Sequence, residues 1–274
     1  MKEHLTRRMF IKTTSGLSIA FMIVGGLPET ARAAVDDKQQ SIYDEFPAQD
    51  PERVREMVGV SHGNVTRVRE LLALHPALAK ATWDWGFGDW ETALGAASHI
   101  GNNEIARLLI ANGARPDIFT FAMFGNLVVV KAYIAANPGI QKIHGPHGLT
   151  LMHHARAGGE QSKSVVEYLE QIGDADIAQT SSPLSEEEKL SYTGDYSFGT
   201  EANLKMRISV NKDGSLSITR LPDGTNRRIF YLGNHEFYPT GAPAVRVRFD
   251  VQQGKKISLS IIDGTPMLTA QRDV

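Results

Sequence analysis

The sequence predicts a multidomain α + β chain: an all-α solenoid of about four helical pairs, then a small antiparallel up-and-down β-barrel. Three observations carry this. Over residues 52–178 apolar side chains recur at helical spacing, cut by turns at Gly63-Asn64, Gly101-Asn102, Gly125-Asn126 and Gly158-Gly159. Over residues 189–274 the period falls to two, with turn residues between short strands. The 274 residues, 42% of them hydrophobic, are enough for two small domains with a real core.

Residues 1–33 read as an address. Thr6-Arg7-Arg8-Met9-Phe10-Ile11-Lys12 is followed by a moderately apolar run from Leu17 to Leu27 and by Ala31-Arg32-Ala33, an A-x-A cleavage site. The run is short for a bilayer span. The segment resembles a twin-arginine signal peptide. The resemblance implies export of an already folded protein to the bacterial periplasm or beyond, with no membrane span left after cleavage at Ala33. The formal charge of −2 hides a split: residues 1–33 hold five basic and two acidic side chains, leaving about −5 on the remainder. That balance argues against a nucleic-acid partner. The chain has no cysteine, which excludes disulfides, thiolate metal sites, cysteine nucleophiles and a lipoprotein anchor. Residues 34–51 are polar, with Pro47 and Pro51, and read as a linker.

The array begins near Glu52. Val54, Met57, Val58 and Val60 mark one helix; Val65, Val68, Leu71 and Leu72 mark its partner, which stops before His75-Pro76. The second unit is the clearest. Thr92 can cap a helix of small residues, and Ile105, Ala106, Leu108, Leu109 and Ile110 give the apolar face of the next. Neither helix could bury its apolar side alone, which is the logic of a stacked repeat. Thr92, Leu94, Ala96, Ala97, Gly101, Ile105, Leu108, Leu109, Gly113 and Ala114 fall in register with the ankyrin pattern, which this unit resembles; Ala93, Gly95 and Arg115 depart from it. The third unit, from Phe119 to Ile134, is degenerate. The fourth starts at Thr150-Leu151-Met152-His153-His154-Ala155, near the T-P-L-H-x-A opening, and ends at Gly173-Asp174-Ala175-Asp176.

All three tryptophans lie in Trp83-Asp84-Trp85-Gly86-Phe87-Gly88-Asp89-Trp90. The ankyrin resemblance implies that such a loop lines the concave binding side. Trp83, Trp85, Phe87 and Trp90, with Asp84 and Asp89, are therefore the candidate protein-binding residues, since aromatics at a loop tip supply large contact area. The competing reading is that Trp83 and Trp90 cover the array's own core. Among the histidines, His144, His147 and His154 could offer imidazole to zinc, but no spacing is diagnostic; neither a metal site nor a cofactor is expected.

Residues 179–188, rich in Ser, Pro and acid, read as a second linker. About eight strands in consecutive hairpins follow, separated by turns such as Pro222-Asp223-Gly224 and Gly233-Asn234. Tyr192-Thr193-Gly194-Asp195-Tyr196, Asp213-Gly214-Ser215-Leu216, His235-Glu236-Phe237-Tyr238 and Val247-Arg248-Phe249-Asp250 make this half similar to the lipocalin-like domain that trails serine beta-lactamase-like hydrolases. The resemblance implies an accessory domain for assembly or access. So short a barrel should fill with its own side chains. A small-ligand pocket among Tyr192, Tyr196, Tyr231 and Phe237, with Phe198, is the alternative. Ser209-Val210-Asn211-Lys212 matches S-x-x-K but ends a strand, so no catalytic residue is assigned.

These readings point to an exported, non-catalytic interaction scaffold, with the array holding a protein partner and the barrel as accessory module. The alternative is a small-molecule or glycan binder using the barrel cavity or the Trp-rich loop.

Overall fold

A computed structural model describes residues 48–201 and 203–273. The expected signal peptide, and residues 34–47 of the expected first linker, lie outside the described residues. Four helix pairs come first. They are α1 (Pro51–Val60) with α2 (Val65–Leu74), α3 (Ala93–Ile100) with α4 (Asn103–Ala111), α5 (Ile118–Met123) with α6 (Leu127–Ala136), and α7 (Leu151–Ala157) with α8 (Lys163–Ile172). Asp50, Thr92, Asp117 and Thr150 cap the first helix of each pair. Asn64, Asn102 and Asn126 cap the second helix of the first three. Each cap accepts a backbone N–H of the first turn, which stabilises a helix by about 1 kcal/mol.

The Gly-Asn turns have a second role. Gly101 and Gly125 sit at φ 77° and 72°, and a Cβ there would lie 2.0 and 1.9 Å from the carbonyl oxygens of Ala157 and Gln161. Glycine ends the helix in the left-handed region and lets the fourth pair approach. Because α5 has only six residues, α3 packs on α7 as well as on α1 and α5. The first helices thus gather around α3. Met57, Val68, Leu71, Ile105 and Leu109 are buried in the core of the first two pairs; Ile118, Met152, Val165 and Leu169 fill that of the last two.

Between the first two pairs, β1 (Thr82–Asp84) and β2 (Trp90–Thr92) form an antiparallel hairpin with Trp83 opposite Glu91. Its tip runs through Gly86, Phe87 and Gly88, all at positive φ. For Phe87 that conformation is strained, a cost on the order of 1 kcal/mol that tertiary contacts must offset.

The second half is the expected meander. Its strands are β3 (Gly194–Ser197), β4 (Lys205–Val210), β5 (Leu216–Arg220), β6 (Thr225–Gly233), β7 (Glu236–Pro239), β8 (Arg246–Gln252), β9 (Lys255–Asp263) and β10 (Thr265–Arg272). Pairing of β10 with β3, through Gln271 opposite Ser197 and Arg272 opposite Tyr196, closes an eight-stranded antiparallel barrel. Closure removes the exposed sheet edge. The expected linker 179–188 is not linker throughout: α9 (Glu186–Tyr192) starts inside it, because Ser185 and Glu188 form a reciprocal capping box.

The barrel and the array belong to one compact unit. The β1–β2 loop joins them. Phe87 packs against the barrel core, and a Cβ on Gly88 would sit 3.4 Å from Val245.

Candidate metal centre

Where the array meets the barrel, four potential ligand side chains converge. His62 follows the end of α1, and His99 lies in the last turn of α3. Each comes directly after a serine that donates its hydroxyl 2.7 Å back to a carbonyl one turn earlier, Ser61 to Met57 and Ser98 to Leu94. The two histidines therefore occupy matching places in successive helix pairs. Glu91 is the middle residue of β2. His147 sits in the turn before α7 at φ 58°, an unusual conformation for a side-chain-bearing residue.

One ligand atom from each lies within 4.8 Å of all the others. Glu91 is the hub. Its Oε2 is 3.5 Å from His62 Nε2; its Oε1 is 3.5 Å from His99 Nε2 and 3.3 Å from His147 Nε2. Glu91 and His99 are buried, with side-chain exposures of 0% and 6%, whereas His62 and His147 keep 32% and 29%.

A supporting shell orients three of the four. His147 Nδ1 is 2.7 Å from Asp89 Oδ2, while the His147 backbone N–H donates to Oδ1 of the same carboxylate at 2.9 Å. His62 Nδ1 lies 3.0 Å from the Gly59 carbonyl, and the Trp85 indole N–H donates to Glu91 Oε2 at 2.7 Å. With Nδ1 engaged, His62 and His147 turn Nε2 inward, the arrangement that fixes a ligating imidazole. From the barrel, Arg227 Nη2 lies 3.2 Å from Asp89 Oδ2 and donates to the Trp85 carbonyl at 2.9 Å. Gly241 lets the barrel close on Asp89; a Cβ there would stand 2.3 Å from Oδ1.

The electrostatics are polarised. Burial pushes His99 down to about 4, with His62 and His147 adding to the effect against the pull of Glu91. Burial also works against charge on His147, but the hydrogen bond to Asp89 and the close negative charges of Asp89 and Glu91 outweigh it and raise its pKa to about 9. Desolvation opposes ionisation of Asp89; its contacts with His147 and Arg227 still hold its carboxyl below the usual range. Despite these pairs, Glu91 Oε1 and both ring nitrogens of His99 are buried without a hydrogen-bond partner among the described residues. Such groups cost roughly 1–3 kcal/mol each unless something satisfies them.

Three imidazole nitrogens and a carboxylate suit a first-row transition ion rather than magnesium or calcium, which prefer oxygen. The spacing around Glu91 is compatible. Bonds of about 2.05 Å to a tetrahedral ion separate ligand atoms by roughly 3.4 Å, against the 3.3 and 3.5 Å between the Glu91 oxygens and the imidazoles; the four atoms lie within 4.8 Å of one another, so the wider pairs must draw in around an ion.

Of the histidines singled out from the sequence, only His147 belongs to this cluster. His144 Nε2 bonds the Ile177 carbonyl, and His154 is buried against Phe119 with Nδ1 on the Thr150 carbonyl. His62, Glu91 and His99 escaped sequence reasoning. The available signal was the repeated Ser-His pair, at 61–62 and 98–99, shortly before each Gly-Asn turn.

The candidate protein-binding loop is largely engaged within the molecule. Trp83 packs on the array core; Asp84 Oδ1 accepts the Gly86 N–H; Trp85 holds Glu91; Phe87 packs on the barrel; Asp89 is buried. Trp90 stays 62% exposed. In the barrel, Tyr192, Tyr196 and Phe237 are fully buried core residues. Phe237 and Tyr231 also border a recess of about 370 Å³ beneath Ser181–Leu184.

The Ankyrin repeat family model matches residues 89–121, from Asp89 through the second helix pair into α5. No curated protein matches the chain. Among the described residues no helix is long and apolar enough to cross a membrane. The match makes the second helix pair similar to an ankyrin repeat, and its opening residues include Glu91 of the candidate cluster and Asp89 of its supporting shell.

Proposed function

We propose that this chain binds one divalent first-row transition ion, with zinc the natural candidate, through His62, Glu91, His99 and His147. The observation that supports this most directly is the buried pairing of an unpartnered carboxylate oxygen with an unpartnered imidazole, at the spacing an ion would impose. A bound ion would satisfy both and sit on the Nε2 atoms that the supporting shell directs inward, displacing the proton that His147 otherwise holds. Export in the folded state, which the twin-arginine-like segment implies, would let the ion be loaded before the protein reaches the periplasm.

Equilibrium dialysis of the full chain against zinc, with metal analysis, tests the reading. One equivalent should be retained. Glu91→Gln should weaken binding by roughly 10²–10³-fold, one ligand's share of a structural-site affinity. Asp89→Asn, which removes the carboxylate behind His147, should weaken it by about 10–100-fold. Retention well below one equivalent, or undiminished retention by Glu91→Gln, overturns the assignment.

A second reading is favoured by the ankyrin match, since ankyrin repeats typically serve protein interaction. A protein partner would meet the array on the surface its own barrel leaves open, where Trp90 is exposed. A partner captured by the parent and lost by Trp90→Ala at unchanged thermal stability supports this; equal capture by both overturns Trp90's part in it.

A further inference from the structure

A cleft of about 390 Å³ opens beside the cluster. The array supplies His62, Trp85 and His147 to its wall, and the barrel faces them with Thr225, Asn226 and Arg227 from the start of β6. His62 and His147, the two partly exposed members of the cluster, both line this cleft, whereas Glu91 and His99 are shut in behind them. An ion held by the cluster would therefore meet exogenous molecules from this side. The four side chains fill a tetrahedral set, so a molecule entering from the cleft would add as a fifth ligand, an expansion that zinc-type ions permit.

Resting on the metal assignment, we infer that this cleft binds a small molecule bearing an oxyanion, a carboxylate or a phosphate, with one of its oxygens on the ion. Charge is the first reason. Asp89 and Glu91 carry two negative charges and Arg227 one positive. A divalent ion ligated by neutral imidazoles leaves the assembly at plus one, in a partly desolvated setting where an uncompensated charge is costly. An anionic ligand neutralises it. The second reason is an orphan donor. The Nη groups of Arg227 are committed to Asp89 and to the Trp85 and Asn226 carbonyls, but its buried Nε–H has no acceptor among the described residues. The missing partner is an acceptor, which matches an oxyanion and not another cation. Asp223, also on the cleft wall, is paired with Arg220 and so does not repel such a ligand as a bare carboxylate would. The Trp85 ring supplies an apolar wall for the ligand's carbon part, as small-molecule sites commonly have.

The test uses the full chain loaded with cobalt(II), whose visible absorption reports its coordination. Acetate and inorganic phosphate are titrated separately, with neutral acetamide as control. The expected result is a saturable spectral change with acetate or phosphate and none with acetamide; the arm that responds at lower concentration identifies the oxyanion. Asn226→Trp, which fills the exposed barrel side of the cleft away from the metal ligands, should keep one equivalent of cobalt and lose the response. If cobalt binds one-to-one but neither oxyanion alters the spectrum, or if Asn226→Trp responds like the parent, the cleft inference is overturned and the metal assignment stands. If cobalt does not bind stoichiometrically, both are overturned.

Discussion

The barrel core and the floor of the β1–β2 hairpin treat buried polar groups in opposite ways. In the barrel core the polar tips of the aromatics are spoken for. Tyr196 Oη donates to the Tyr192 carbonyl at 2.9 Å, and Tyr192 Oη lies 2.6 Å from His235 Nδ1. The rings of Tyr192, Phe237 and Phe249 meet edge-on around them. In the array, the floor of the β1–β2 hairpin buries Glu91 and His99 with atoms left unpaired. A satisfied polar cluster contributes to stability and specifies one packing; an unsatisfied one lowers stability and marks a place where something else binds.

The largest expected effect lies on the satisfied side. Phe237→Ala removes a fully buried ring from the middle of that core and should cost about 3–5 kcal/mol in denaturant unfolding. A loss under about 1 kcal/mol would mean that the barrel interior is looser than its packing indicates.

Acid should separate the halves next. Burial lowers the pKa of His154 to about 4, and the bond from its ring to the Thr150 carbonyl does not offset that. The unfolded chain, with its imidazole near 6.5, binds more protons through this window. The advantage of a neutral buried His154 is therefore complete above about pH 6.5 and is lost as pH falls towards 4, amounting to about 3 kcal/mol. Replacing it, as in His154→Phe, should flatten the stability profile of the metal-free protein between those limits. Identical profiles for parent and variant would contradict the assignment of His154 as a neutral core group.

The smallest effect has the most informative sign. With metal removed by chelator, His99→Leu should leave stability unchanged or raise it by about 1–2 kcal/mol, because unpartnered polar atoms leave the core. The same variant should lose the stabilisation that added zinc confers on the parent. A clear loss of stability in chelator would show that His99 is satisfied in the metal-free state, and the contrast would fail.

Much of the fold was legible in local sequence. The α3–α4 unit follows from the Thr92 cap, the small residues on one helix and the Leu108-Leu109 face on the next. The barrel follows from alternation at Leu204–Val210 and Val245–Val251. The helix inside the second linker was equally local, in Ser185 and Glu188, but its acidic composition read as loop. The loop of aromatics pointed outward on the ankyrin resemblance. Its tip instead seats Phe87 against the barrel, a contact between segments more than a hundred residues apart that no periodicity encodes.

The cluster divides the same way. The helix ends that carry His62 and His99 follow from local sequence, since Ser-His before a Gly-Asn turn is repeated from one pair to the next. The sequence also excludes thiolate ligands, because there is no cysteine. That these two histidines meet Glu91 and His147 is a matter of long-range packing. That depends on the short α5, on glycines that let the fourth pair approach within carbonyl contact, and on Arg227 reaching from the barrel to hold Asp89 and the Trp85 backbone. Helix caps and strand alternation act over a few residues, where sequence spacing is spatial spacing. A ligand set drawn from residues 62, 91, 99 and 147 exists only once the chain has closed around it.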